Sequence, residues 1–357
     1  TAAALMVGVA LVAFVAIFAA GLKASVDQAV DRGLRGDLVV QSETFQPLPQ
    51  AATRALAQVP GIALVSPIRF ASARVAGVSG TKGVSGVDPA TVGRVLDVTW
   101  KDGSQRSLAA LGPRDVLVSD GFADDAGVEV GSRLTVTTPT LRRLDLEVRG
   151  IYDASGGLLA NLTLSNAVLA RDFAVDRDAF VLAATAPGAS ADAIATQAGR
   201  LVGEAFPTVQ VLTKEGFKED QAGQIDQLLA LVFVLLSLSV IVSLFGIVNT
   251  LVLSIHERTR ELGMLRAIGT SRRQVRQIVR YESVITALIG AVLGVVLGVA
   301  FGVLVGLPLR AEGFAISIPV PTLVILLVLA AIAGVLAAIL PARRAARLDV
   351  LRALAYE

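Results

Sequence analysis

The chain has 357 residues, 54% of them hydrophobic and 17% charged, with a mean hydropathy of +0.68. A soluble domain carries about 25% charged residues, so this balance points to a membrane protein, and the lack of cysteine excludes disulfides, thiolate metal sites and a Cys nucleophile. The net charge of +2 hides a segregation: residues 23–226 hold 20 Lys and Arg against 24 Asp and Glu, residues 254–280 hold seven against two, and residues 341–357 four against two.

Length alone allows two or three domains. Residues 1–22 form an uncharged apolar run. Ala19, Ala20 and Gly21 before Lys23 would suit a signal peptide. The run lacks a basic leading segment, however, and exceeds the about 7–15 residues of a signal core, so it reads as a membrane span. Three more uncharged runs follow at 228–253, 283–307 and 322–340. Each suits the about 20 helical residues that cross a hydrocarbon core of about 30 Å. Four spans return the chain to its starting side. Lys and Arg resist translocation, so the arginines of 254–282 and 341–357 put that side in the cytoplasm, leaving 23–227 and the short loop 308–321 outside. The expected fold class is a membrane α-helical protein of four transmembrane helices, with a large α+β extracytoplasmic domain inserted between helices 1 and 2. Its expected place is the cell (inner or plasma) membrane.

Residues 23–35 continue the first span with Val26, Ala29, Val30 and Leu34 at helical spacing, and 214–227 lead into the second with Phe217 and Ile225. Both read as helical stalks or as solvated helix ends. Between them, strands are expected at 37–41, within 62–78, and at 82–87, 115–119, 180–185 and 208–212. Helices are expected at 50–58, 89–96 and 190–206, the last with Ser190 and Asp192 as start signals. Gly131 and Ser132 mark a turn before paired strands at 133–138 and 145–151. The middle, about 97–177, reads as a β-rich lobe inserted into the first.

In the second span Ser239, Ser243, Gly246 and Thr250 fall on one helix face, beside Asn249. Gly290, Gly294, Gly298, Gly302 and Gly306 recur every fourth residue in the third. Such small-residue faces let another helix approach closely, and Ala330, Ala331, Gly334 and Ala338 of the fourth span offer a matching surface.

Chemistry is sparse. A P-loop needs G-x-x-x-x-G-K-[ST]; the stretch from Gly77 to Gly83 has other spacing and reads as a hairpin turn. The single His256 lies on the opposite side of the membrane from the large domain, so it can complete neither a triad nor a metal site there. Asp124–Asp125 and Asp176/Asp178 read as solvated acidic pairs. No ionisable residue lies inside a span, against a proton relay. No catalytic residue, metal or nucleic-acid partner is expected.

Residues 256–280 stand out, with seven arginines between two uncharged spans. Glu257 and Glu261 are spaced i, i+4, and Leu262, Leu265 and Ile268 make an apolar stripe. Gly269 is a helix stop, and Ser271 with Gln274 fits a capping box. The expected structure is helix, sharp turn at 269–271, helix. Such a helix can dock in a partner's groove, or its arginines can bind anionic lipid at about 1 kcal/mol each.

The order Glu257-Arg258-x-x-Glu261-x-Gly263-x-x-x-Ala267-x-Gly269, before an Arg-rich helix and a Gly-rich span, resembles the FtsX-like, MacB-type ABC transporter permeases. Pro341-Ala-Arg-Arg-Ala-Ala-Arg347, followed by Asp349-Val-Leu-Arg-Ala-Leu354, resembles the segment that closes them, and the four-span layout matches too. The resemblance implies that two such units work with a cytoplasmic ABC ATPase dimer, which would hold the ATP and Mg, so no cofactor is expected in this chain. It implies that Glu257, Arg258, Glu261, Gly263, Leu265, Ala267, Ile268 and Gly269 couple to the ATPase, whose cycle moves the outside domain (mechanotransmission). Leu265 and Ile268 would fill a groove, Glu261 would pair with a base and Gly269 would permit the turn. The implied task is export of lipoproteins, peptides or amphipathic drugs. The alternatives are regulation of an envelope hydrolase without a transported substrate, or a membrane ligand sensor. Membrane lipid and an extracytoplasmic adaptor, lipoprotein or hydrolase complete the expected partners. Starting inside a span, the chain reads as the second half of a tandem permease or as a four-span subunit trimmed at its N-terminus.

Overall fold

The computed structural model describes residues 2–44, 46–153, 158–310 and 313–346; the closing motif from Arg347 onward lies outside them. In chain order, helix α1 (Ala2–Gly33) precedes β1 (Leu38–Ser42), α2 (Gln50–Ala57), β2 (Ile62–Val75), β3 (Lys82–Val87), α3 (Val92–Val95), β4 (Trp100–Asp102), α4 (Gln105–Ala109) and β5 (Asp115–Ser119). Then come α5 (Asp120–Ala126), β6 (Arg133–Thr137), β7 (Arg143–Tyr152), β8 (Leu162–Ser165), α6 (Asn166–Asp172), β9 (Phe180–Thr185), α7 (Ala191–Gly203) and β10 (Val209–Thr213). The chain ends in α8 (Lys214–Glu257), α9 (Thr259–Ala267), α10 (Arg272–Leu309) and α11 (Val320–Ala345). It divides into two compact units: residues 1–22, 224–308 and 315–357 in one, residues 23–223 and 309–314 in the other.

In the α+β unit one sheet runs β10-β1-β9-β2-β3-β8-β5-β7-β4, with β6 paired to β2 and β7. Strand β2 joins its two parts. Its first half, Ile62 to Ile68, pairs with β9, and the stretch from Arg69 to Ala73 pairs with β3. Alternation along the strands sets up separate cores. Leu38 and Val40 point into one with α2 and α7, while Val39 between them points into another with Val30 of α1 and Leu34 just after it. Val116 and Val118 belong to a third with Phe122, while Leu117 faces the second. Strands covered on both faces read as continuous apolar runs, which is why β1, β5 and β9 were legible.

Gly77 and Gly80 adopt positive φ in the turn of the β2–β3 hairpin. The helix expected over 89–96 is only the four residues of α3, after a turn in which the Asp88 carbonyl accepts from Thr91 and Val92. The acidic pair Asp176/Asp178 needs correction. Asp178 is 1% exposed, accepts from Arg69 Nε at 2.8 Å and from Thr53 Oγ1 at 2.6 Å, and so is a buried ion-pair partner rather than a solvated charge. The ends of α1 and α8 meet within this unit, where Lys218 donates to the Asp31 carboxylate and Lys214 Nζ donates to the Leu34 carbonyl at 3.2 Å.

In the helical unit α1, α8, α10 and α11 are each long and apolar enough to cross a membrane. Leu5, Val9, Ile247, Ala287, Ala291 and Ala338 form its core. All five glycines of the α10 ridge are buried. The surface that meets Gly294, Gly298 and Gly302 is α1 rather than the small residues of α11. A β-carbon at Gly294 would stand 2.7 Å from the Met6 carbonyl, and one at Gly302 would stand 2.8 Å from Ile17 Cγ2. Gly334 of α11 packs instead on the first half of α10, where Ser283 Oγ donates to the Gly334 carbonyl at 2.8 Å. On α8 only Ser243 of the predicted face is buried within this chain. Ser243 and Thr250 donate to carbonyls of their own helix, at 2.9 and 3.1 Å, Ser239 is exposed and Gly246 faces open space. A hydroxyl satisfied one turn back needs no neighbouring helix.

Candidate functional site

The site is built from the break between α8 and α10. Thr259 Oγ1 donates back to the carbonyls of Ile255 (3.0 Å) and His256 (2.8 Å), and Arg258 between the helices has φ −97° and ψ 18°. Helix α9 then runs for 9 residues. Isolated helices shorter than about 12–15 residues are marginal in water, so α9 needs an anchor. Leu262 supplies it, packing with Ile255, Val275, Val279, Ala342 and Ala345, with Gly263 buried beside it.

The other apolar side chains of α9 and its C-cap are exposed among the described residues. Met264 is 49% exposed, Leu265 38% and Ile268 82%. The predicted stripe therefore divides: Leu262 turns inward, and Leu265 and Ile268 turn outward with Met264. Sequence reasoning passed over Met264, although its spacing from Ile268 (i, i+4) was the available signal.

The helix stops where expected. Gly269 has φ 109°, its N–H donates to the Arg266 carbonyl at 3.2 Å, and the Thr270 N–H donates to the Leu265 carbonyl at 3.0 Å. This pair of bonds is a Schellman motif, whose left-handed residue is usually Gly. The next helix starts with the capping box: Gln274 N–H donates to Ser271 Oγ at 3.3 Å, and Ser271 N–H donates to Gln274 Oε1 at 2.8 Å. Two stops placed back to back hold the turn without a disulfide or metal.

Around this patch the surface is charged. Glu257, Glu261, Arg260, Arg272, Arg273 and Arg280 are exposed, and Arg258 Nη1 stands 3.8 Å from Glu282 Oε1. Among the described residues no cluster of His, Asp and Glu could hold a metal. The segment presents three exposed apolar side chains, Met264, Leu265 and Ile268, among exposed charged residues of both signs.

Comparison with known proteins follows from this layout. The FtsX-like permease C-terminal model matches residues 233–350, and the MacB-like periplasmic core domain model matches residues 1–201. The macrolide export ATP-binding/permease protein MacB of Hahella chejuensis is 38% identical over 120 residues, 34% of this chain and 18% of that protein. The pyoverdine export ATP-binding/permease protein PvdT of Pseudomonas putida is 30% identical over 121 residues, also 34% of this chain and 18% of that protein. MacB 1 of Escherichia coli O1:K1 / APEC is 31% identical over 193 residues, covering 45% of this chain and 30% of that protein. This chain thus matches less than a third of the length of each. The periplasmic region of MacB from Actinobacillus actinomycetemcomitans aligns over 54% of this chain and 94% of its own, with a TM-score of 0.40 and 11% identity. A multi-pass membrane protein with a large extracytoplasmic α+β domain between its first two spans, the chain belongs to the family of FtsX-like permeases with a MacB-like periplasmic core domain.

Proposed function

We propose that this chain is the membrane-spanning permease part of an ABC transporter, in which residues 254–282 receive the work of a separate cytoplasmic ATPase and the domain of residues 23–227 delivers it outside. The observation that carries this reading is the outward face of α9. Met264, Leu265 and Ile268 are exposed on a helix that Leu262 pins at one side and the Gly269 turn stops at its end. Exposed apolar side chains ringed by charge suit a protein groove better than water. In this reading Leu265, Ile268 and Met264 fill a groove on the ATPase, and Glu261 pairs with a base there. Glu257, Arg258, Gly263 and Ala267 complete the docking segment. Its arginines lie on the cytoplasmic side, which also puts both chain ends there.

The names of the relatives, ATP-binding/permease proteins that export a macrolide or pyoverdine, support an ATPase dimer and a second permease half as partners. They also support amphipathic drugs, peptides or lipoproteins as the cargo class. The stalk ends clipped by Asp31 and Lys218 suit transmission of motion rather than a wide pore. The test is reconstitution with the ATPase from the same operon. Leu265→Asp is expected to abolish stimulation of ATP hydrolysis while the chain still folds. An ATPase that co-purifies with, and is stimulated by, the Leu265→Asp chain would sink the docking model.

A further inference from the structure

The α+β unit contains two adjoining cavities that the coupling reading does not use. The first, of about 330 Å³, is walled by Phe70, Phe180, Phe217, Val30 and Leu182, with Gln41 at its edge. The rings of Phe70 and Phe180 lie 5.8 Å apart, and Phe70 is 45% exposed. The second, of about 400 Å³, is lined by Arg32, Arg310, Asp97, Asp153, Tyr152 and Phe314 among others. Leu158 lines both.

The charges of the second cavity are unevenly matched. Asp97 is already held by Arg35 at 2.7 Å, so the lining sets two guanidiniums, Arg32 and Arg310, against the one further carboxylate of Asp153. Among the described residues neither Arg32 nor Arg310 makes an ion pair. An apolar chamber beside two unneutralised guanidiniums is complementary to one kind of small molecule. Its body must be apolar enough to leave water for a phenylalanine-lined space, and its head must be an anion that a guanidinium can grip with paired N–H groups. We propose that this unit binds a small anionic amphiphile, with its acyl or aromatic body against Phe70, Phe180 and Phe217 and its phosphate or carboxylate head at Arg32 and Arg310. Arg310 directly follows α10, a helix of membrane-crossing length, so the head has two sources: a membrane lipid or a free amphiphile.

Trp100 is the chain's single tryptophan and directly follows Thr99, which lines the second cavity. Its emission is therefore a built-in reporter. The test uses the full chain in phosphatidylcholine nanodiscs with a tryptophan-free scaffold, titrated with dodecyl phosphate. The expected result is a saturable change in Trp100 emission that dodecyl maltoside, with the same tail and a neutral head, does not produce. The double variant Arg32→Gln/Arg310→Gln and the single variant Phe70→Gln should each raise half-saturation about tenfold or more. All three side chains are exposed, so both variants should keep the wild-type melting temperature. If discs containing phosphatidylglycerol shift the curve to higher dodecyl phosphate, the natural head is a membrane lipid; if they leave it unmoved, the natural ligand is a free amphiphile. The proposal is overturned if dodecyl phosphate and dodecyl maltoside titrate alike, or if both variants keep the wild-type half-saturation. No ATPase takes part, so failure here is separate from failure of the coupling reading.

Discussion

Gly298 of α10 lies against Ala13 of α1 with no room for a side chain: a β-carbon built on Gly298 would stand 2.6 Å from Ala13 Cβ and 2.7 Å from the Ala10 carbonyl oxygen. Backbone, not a flexible side-chain tip, blocks the space, so the helices must separate to admit a methyl group. Gly298→Leu is expected to lower the unfolding free energy in detergent by about 1–3 kcal/mol, the usual cost of overpacking. Gly246→Ala, on α8 and facing open space, should be neutral or gain up to about 1 kcal/mol from helix propensity. Equal melting temperatures for the two variants would contradict the close contact.

Leu262 and Leu265 sit on the same short helix and should respond oppositely. Leu262→Ala empties a buried contact with Val275 and Ala345 and is expected to destabilise by about 2–5 kcal/mol, as core truncations do. Leu265→Ala should change the chain's own stability by less than about 0.5 kcal/mol and weaken ATPase stimulation instead. Denaturation curves and hydrolysis rates, measured on both variants, separate anchoring from docking.

The turn between α9 and α10 can be loosened at either stop. Gly269→Val forces a β-branched residue to φ 109° and should cost about 1–2 kcal/mol or more. Ser271→Ala removes a cap worth about 1 kcal/mol. Hydrogen exchange of the amides from Thr270 to Val275 is expected to accelerate in both variants while the α+β unit stays unchanged.

The stalk clip has a definite pH signature. The hydrogen bond from Lys218 holds the Asp31 carboxyl below its ordinary range, with the charges of Lys218 and Lys214 adding to it against desolvation. The same bond holds the Lys218 ammonium above its ordinary range. A depressed carboxylate contributes stability above its unfolded pKa of about 3.9, lost as pH falls through the lower folded value. A raised lysine contributes below its unfolded value of about 10.4, lost as pH rises through the higher folded value. The stability difference between wild type and Asp31→Asn should therefore be flat through neutrality and shrink under acid. Because the Asp31 side chain is 58% exposed, solvent screening holds that difference to at most about 1 kcal/mol. Thermal midpoints of both proteins, taken from about pH 3 to about pH 8, would show it.

Inside the α+β unit, Arg69→Met leaves the Asp178 carboxylate buried beside Thr53 with its cation gone. That change is expected to cost about 3–5 kcal/mol. The double variant Arg69→Met/Asp178→Leu should recover much of the loss, because neither charge then remains in the core. Urea unfolding of the four combinations gives the coupling.

How much of this was legible depended on the range of the interaction that decided it. The capping box at Ser271 and the Gly269 stop are local, settled by residues five or fewer apart, and both stand where the residue order put them. Strands β5 and β9 were readable because burial on both faces leaves an apolar run. By contrast β8, four residues long and paired in parallel with β3, gave no periodicity to read, and helices α5 and α6 beside it are short. Asp178 looked like a surface charge because its partner Arg69 is 109 residues away.

Composition and order alone determined that four helices cross a membrane, that a large α+β domain is inserted after the first, and that a short basic loop ends its helix at a glycine. Those features are set by hydropathy, charge and turn chemistry, which act over a few residues. Only the tertiary structure decided that Gly294, Gly298 and Gly302 of α10 meet α1 rather than α11, that Leu262 faces in while Leu265 and Ile268 face out, and that Arg32 and Arg310 share one cavity. Each depends on which surfaces meet, and a helix with small or apolar residues on several faces does not specify its neighbour until the whole chain has packed.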